Sequence, residues 1–375
     1  MGGDVIPAHL NIVSPGLWVE MALRFVNFRK LLGTLILDMP KYLLVLWVAK
    51  SRLLSLANRK ERLIPAPDGR GYRCDWQWTS DLHAPKVFPF LGRRLMKLAL
   101  VDHPIRRLPQ LENYSGQPEV SFIIGHRGTA RLSHLLATLE SIAGQQDASV
   151  ECIVVEQEME SQLGGHLPPR VLHIHTPPPV SDMPYCRSWA FNIGVKQARG
   201  NVLVLHDNDM LVPADYAAQA LERVKQGYEV LNLKRFIFYL GRAHSEGMFD
   251  VKATLLDDTP EAIVQNLEGG GSVVITREAF ERIGGMDESF IGWGGEDNEF
   301  WERAQTCKVW PYGYLPIVHL WHPSQPGKYQ GENPTLRHYR DLSLIPEWER
   351  IVRLASLGHG DMAGPHGYQH GRAQG

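Results

Sequence analysis

Between Pro118 and Pro213 three runs of apolar strand-formers alternate with stretches of helical spacing. "EVSFIIGHR" precedes "RLSHLLATLESIAGQQ", where Leu132, Leu135, Leu136, Leu139 and Ile142 share one helical face and Gly144 is a stop signal. "VECIVVEQ" follows as a second buried strand. A proline-rich connection then leads into "CRSWAFNIGVKQARG", a helix closed by Gly200, and into the third strand, "NVLVLHDNDMLVP". Strand, helix, strand, helix, strand predicts right-handed crossovers and a parallel sheet. Ligands of such sheets bind beyond the carboxyl ends of the strands, which is where Asp207 and Asp209 fall.

Two carboxylates one residue apart at the end of an apolar strand need a reason. Where the chain turns, both can approach one cation, and oxygen ligands suit Mg²⁺ or Mn²⁺ completed by phosphate and water. An Asx turn that merely ends the strand accounts for the same residues. "GWGGEDNEF", from Gly292 to Phe300, predicts a helix start whose dipole favours Glu296 and Asp297. Its glycines permit close approach of a ligand, and Trp293 offers an apolar face of the kind sugars stack on. A carboxylate held there can serve as a general base. In "VHLWHP", His319 and His322 are either core histidines or the third ligand of an Asp–Asp–His site, and imidazole moves the expected ion toward Mn²⁺. Arg127, Arg131 and Arg187 lie near strand ends, either as solvated charges or, if clustered beside a cation, as diphosphate or nucleotide contacts.

Taken in order, these pieces resemble glycosyltransferases of the GT-A fold. The stretch from "VSFIIGHR" to "NVLVLHDNDMLVP" is similar to the nucleotide-sugar half of family 2 enzymes. "GGGSVVITREAFERIGGMDESFIGWGGEDNEFWERA" is similar to the acceptor half shared by β-1,4-galactosyltransferases, chondroitin-polymerase-type enzymes and polypeptide GalNAc-transferases. The resemblance covers residues 118–325. It implies an α/β, Rossmann-like fold with a mostly parallel central sheet flanked by helices. Asp209 would be the direct metal ligand, with Asp207 nearer the ribose and the metal shell. His322 matches the later metal ligand better than His319 does. Arg127, Glu156 and Arg187 match nucleotide contacts, and Arg131 is counted with them. Gly270 and Gly271 would let the chain pass close to the donor sugar. Trp293, Glu296 and Asp297 match the acceptor site, with Asp297 as base. Two departures stand out: Gly125-His126-Arg127 replaces the commoner Pro-Thr-Tyr, and Glu156 replaces Asp, as it also does in the galactosyltransferase-like branch.

The implied activity is metal-dependent, inverting transfer of a sugar from a nucleotide-sugar, expected to be a UDP-sugar, to a hydroxyl of a glycan or lipid-linked acceptor. Glu-Asp rather than Glu-Asn at the tryptophan motif disfavours a retaining GalNAc-transferase-like enzyme. The intact acids disfavour a silent sugar- or membrane-binding module. A polysaccharide, a lipid-linked oligosaccharide and a small glycoside all remain open as acceptors.

A formal net charge of -2 gives no reason to expect nucleic acid as a partner. The four cysteines show no metal spacing and predict free thiols in a reducing compartment, hence a cytoplasmic protein. Residues 1–62 hold nine Lys/Arg against four Asp/Glu amid apolar runs too short to span a bilayer. They predict amphipathic helices that either lie on an anionic membrane, at the inner face of the plasma membrane, or pack on the main domain. The expected division is an N-terminal helical extension over 1–115, a GT-A domain over 116–325, a C-terminal helical segment over 326–360 and a disordered tail over 361–375.

Overall fold

The computed structural model describes Phe28, Arg29, Leu32 and residues 63–74, 80–111, 116–250, 252–265, 267–324 and 333–366. The amphipathic segment expected over residues 1–60 lies almost wholly outside the described residues. Among those described, no helix is long and apolar enough to cross a membrane.

The described chain opens with strands β1 (Leu63–Pro65), β2 (Tyr72–Cys74) and β3 (Ser80–Asp81) and helices α1 (His83–Val87) and α2 (Pro89–Asp102). Next come β4 (Val120–His126), α3 (Leu132–Ala143), β5 (Val150–Glu156), β6 (Val171–His175), α4 (Arg187–Gln197) and β7 (Val202–His206). Beyond them lie β8 (Met210–Leu211), α5 (Tyr216–Lys225), β9 (Val230–Leu231), β10 (Lys234–Tyr239), α6 (Arg242–Gly247) and β11 (Ala262–Gln265). The last part holds β12 (Ser272–Thr276), α7 (Arg277–Arg282), α8 (Glu296–Ala304), β13 (Val309–Trp310), β14 (Leu315–His319), α9 (Pro334–Leu342) and α10 (Glu347–Leu357).

The strands form a seven-stranded sheet in the order β13-β9-β12-β7-β4-β5-β6. β12 runs against its neighbours and every other pairing is parallel. β4 and β5 are buried at every position, because helices cover both faces of the sheet. Phe122, Ile124 and Val154 join Leu135, Leu139 and Ile142 of α3 in one core. Ile123, Ile153 and Val155 join Trp189, Phe191 and Ile193 of α4 in another. The mostly parallel α/β architecture is the expected one.

A second, five-stranded sheet in the order β3-β11-β10-β14-β8 lies beside it, and two pairings matter for function. β7 pairs with β12 so that Ser272 faces His206, which carries Gly271 to Asp207. β8 pairs with β14 so that Met210 faces His319, which carries the histidine segment to Asp209. Hydrogen bonds extend each register by one step: Asp207 N donates to Gly271 O at 2.8 Å and Leu320 N to Asp209 O at 2.9 Å.

Four expectations need correction. "EVLNLKRFIFYL" is two strands, since the chain leaves one sheet for the other at Asn232-Leu233. α4 ends at Gln197 with Ala198 extended, three residues before Gly200. The N-terminal part is not helical alone: β1 and β2 form a hairpin, and β3 extends the second sheet. The tail is built into the molecule as far as residue 366. Trp189 Nε1 donates to Asp361 O at 2.7 Å, and His366 pairs with Asp287 and Glu288 at 3.2 Å each.

Candidate metal and substrate site

Asp209 sits in the tight turn between β7 and β8, 4% exposed. Its Oδ2 lies 3.2 Å from His322 Nε2 and 3.1 Å from Arg131 Nη1, and its Oδ1 lies 3.8 Å from His319 Nε2. Burial alone would raise the carboxyl pKa. The surrounding His319, His322 and Arg131 outweigh that and hold it well below the usual carboxylate range. Asp209, His319 and His322 each offer a ligand atom, all within 4.8 Å of one another. Ligands of a small ion bonded at about 2.1 Å stand roughly 3–4 Å apart, so modest contraction would complete the set. One carboxylate and two imidazoles suit Mn²⁺ better than Mg²⁺.

The two histidines differ in support. His322 Nδ1 lies 2.8 Å from Pro323 O, the outer partner that orients a metal-binding imidazole. His319 Nδ1 is buried without a hydrogen-bond partner. Its ring packs 4.5 Å from Tyr239, and burial pushes its pKa down while Asp209 pulls it up. The geometry therefore favours His322, with His319 close enough to be a further ligand. Asp207, expected to share the ion, stands outside this cluster. Its Oδ1 accepts from Arg187 Nε at 2.8 Å and lies 2.7 Å from Nη2.

Arg187 opens α4 and stays charged, because Asp207 and Asp297 outweigh its desolvation. Its Nη1 donates to Asp297 Oδ1, and its guanidinium lies 4.5 Å over the Phe191 ring. One guanidinium thus joins the D-N-D turn to the start of α8. Gly292, Gly294 and Gly295 all have positive φ, and Gly295 at +92° turns the chain into that helix. The two adjacent acids then diverge. Glu296 turns back so that its Oε2 accepts from Gly294 N at 2.9 Å, whereas the Asp297 side chain, 32% exposed, opens on the cleft. Burial, then the neighbouring Asp297, pushes the Glu296 pKa up to about 7. Burial also raises that of Asp297; Arg187 opposes this and Asp207 adds to it.

The glycine run closes the floor. A Cβ on Gly270 would lie 3.2 Å from Asp297 Oδ2, and one on Gly271, at φ +78°, would lie 2.6 Å from Met210 Cε. Both expected glycines therefore lie at the junction of the two acid motifs. Trp293 is 39% exposed. Its carbonyl accepts from Asn333 Nδ2 at 2.8 Å and from Thr335 Oγ1, which ties the Gly292–Gly295 loop to α9. Arg127 donates to Met183 O at 2.6 Å at the end of β4, on the same edge of the sheet.

Glu156 is the site residue the structure does not support. It is fully buried, and its carboxylate accepts from Gln162 N, Leu163 N, Ser161 Oγ and His173 Nε2. Four donors occupy its lone pairs, so it shapes the 157–163 loop and has no oxygen left for a nucleotide.

Three residues complete the site without a sequence expectation. His126 Nδ1 accepts from Asn208 Nδ2 at 2.8 Å and its Nε2 contacts Gly128 O at 2.7 Å, so the unusual Gly-His-Arg loop braces the D-N-D turn. Lys234 is buried and donates to Ser272 O. Burial lowers its pKa to about 8 against the pull of Asp297, Asp207 and Glu268. Glu268 accepts from Trp301 Nε1 at 3.0 Å. A lysine inside the apolar "VLNLKRFIFYL" was the one available signal.

The pattern of the N-terminal domain of galactosyltransferase matches residues 264–313. Beta-1,4-galactosyltransferase 5 of Danio rerio is 26% identical over 183 residues, 47% of this chain and 41% of that protein. The Sus scrofa protein of the same name is 29% identical over 132 residues, 34% of this chain and 28% of its own. The chain thus spans less than half the length of these relatives. Among solved structures, GalNAc-T7 with UDP, GalNAc and Mn²⁺ has a TM-score of 0.45 at 16% identity, covering 64% of this chain and 51% of that one. The catalytic domain of Drosophila beta1,4galactosyltransferase 7 complexed with xylobiose has a TM-score of 0.34 at 16% identity, covering 59% and 79%. Residues 264–313 thus match a galactosyltransferase family pattern, within a mostly parallel α/β sheet that carries the D-N-D turn at a strand end.

Proposed function

We propose that this protein is a metal-dependent, inverting glycosyltransferase that moves a sugar from a UDP-sugar to a hydroxyl of a glycan acceptor. The observation that carries the proposal is the junction at Arg187, where the D-N-D turn and the Glu-Asp helix face one another beside Gly270. The relatives' names, β-1,4-galactosyltransferase, support the same class.

Asp209 and His322, with His319 beside them, would hold Mn²⁺ or Mg²⁺. Such an ion neutralises the charge of a departing nucleoside diphosphate. Arg127 and Arg131 stand at the same sheet edge as anion contacts. Trp293, its backbone clasped by α9, presents its ring to the acceptor sugar. Asp297 takes the proton of the acceptor hydroxyl as that oxygen bonds the anomeric carbon and the carbon–phosphate oxygen bond breaks. Its raised proton affinity suits a base, while Arg187 fixes the carboxylate and opposes the rise. Attack opposite the leaving group inverts the anomeric centre.

The test is turnover of UDP-hexoses with a panel of glycosides, with the product's anomeric configuration read by NMR. A β-linked product from an α-linked donor is expected, with kcat lowered about 100-fold or more in Asp297→Asn. An α-linked product overturns inversion. Unchanged kcat in Asp297→Asn overturns the base.

A further inference from the structure

We propose that Arg131 is the resident cation of the metal site: it holds Asp209 Oδ2 and the Nδ1 of His322 until a donor diphosphate draws it away, so that ion and nucleotide bind as a coupled pair. The proposal deepens the function given above and rests on its metal site.

Arg131 stands at the N-cap position of α3, and its side chain reaches both ligands. Its Nη1 contacts Asp209 Oδ2 at 3.1 Å and its Nη2 contacts His322 Nδ1 at 3.0 Å. The same Oδ2 lies 3.2 Å from His322 Nε2, so an ion bridging that pair would stand against the guanidinium with like charge.

The imidazole records the conflict. A guanidinium only donates, so the bond from Arg131 requires a bare Nδ1 and places the proton on Nε2, facing Asp209. Nε2 then has no lone pair for an ion. The Pro323 carbonyl, 2.8 Å from the same Nδ1, only accepts. That bond requires the proton on Nδ1 and frees Nε2 to ligate. The two partners of Nδ1 exclude one another, and each selects one tautomer. With Arg131 inserted, His322 donates to Asp209; with Arg131 withdrawn, His322 donates to Pro323 and turns its lone pair to the ion. The Arg131 side chain is 27% exposed, so it has an open side toward which to move. A diphosphate there offers it a stronger bidentate acceptor than a neutral imidazole nitrogen.

The experiment titrates the full chain with Mn²⁺, following the signal of free Mn²⁺ by electron paramagnetic resonance, for wild type, Arg131→Met and Asp209→Asn, each with and without UDP. Arg131→Met is expected to bind Mn²⁺ about tenfold or more tightly than wild type when UDP is absent, the worth of one charge-assisted hydrogen bond. UDP is expected to tighten Mn²⁺ binding much more in wild type than in Arg131→Met. Equal or weaker affinity in Arg131→Met, with binding still lost in Asp209→Asn, overturns the role of Arg131 and leaves the metal site standing. No Mn²⁺ binding by any form, even with UDP, overturns both. A second measurement needs no variant: ¹⁵N NMR of wild type should find His322 protonated at Nε2, moving to Nδ1 when Mg²⁺ and UDP are added together. A proton on Nδ1 before any addition overturns the proposal.

Discussion

Glu296 and Asp297 are neighbours in sequence with unlike surroundings. Glu296 is folded back on its own loop, with no ion pair among the described residues, and burial and the neighbouring Asp297 lift its pKa from 4.5 to about 7. A carboxyl with a raised folded-state pKa stabilises the fold in its protonated form. That contribution is full below about pH 4.5 and is lost as the pH rises through 7. Glu296→Gln keeps an acceptor for Gly294 N and removes the charge. It should raise unfolding free energy by about 1–3 kcal/mol at pH 8 and leave it unchanged near pH 4.5, as read from urea melts at both values. The pair itself was legible in the sequence, because acids after a glycine run mark a helix start. Their division of labour was not, because it depends on Arg187, 110 residues away from Asp297. Glu156 misled for the opposite reason. Its partners at 161, 162 and 163 are local, but nothing in the sequence says that a loop will close over the carboxylate.

At the scale of elements, two strand pairs build the cleft. β12 brings Gly271 to Asp207, and β14 brings the histidines to Asp209. Gly271 carries a positive φ and has Met210 against the position of a side chain. Gly271→Ala should cost about 1–3 kcal/mol in denaturant melts, with only partial rescue by Met210→Ala, which relieves the contact and not the backbone strain. The long buried strands β4, β5 and β7 and the helices between them could be read from apolar runs and spacing. β8 could not, since two residues carry no period. Nor could the break between β9 and β10, because the chain changes sheets there without a glycine or proline to mark it. The C-terminal helices, expected as a separate segment, pack against the Gly292–Gly295 loop and α8. Asn333 and Thr335 hold Trp293, and the buried Arg350 of α10 reaches Glu299 at 3.3 Å and Glu302 at 2.8 Å on α8.

The whole molecule is closed by its last described residues. Glu288 is buried, and its carboxylate accepts from Asn192 Nδ2, Gly360 N and His366 N. The same segment covers the outer side of α4, which explains why that helix has buried residues from Ser188 to Val195 without a polar face. Deleting the chain from Gly358 onward strips two of those three donors from a buried charge. The loss should be about 2–5 kcal/mol, seen as a lower melting temperature and lower soluble yield of the truncated form. The bridge at Arg187 has a further meaning for how the protein comes into being. Arg187 and Asp207 leave the ribosome together and cancel one another's charge. Asp297 follows much later in synthesis and adds one unbalanced negative charge to the trio. A nascent chain that stops short of α8 therefore holds Arg187 and Asp207 as a neutral pair, and the trio takes on its net negative charge only once α8 has docked.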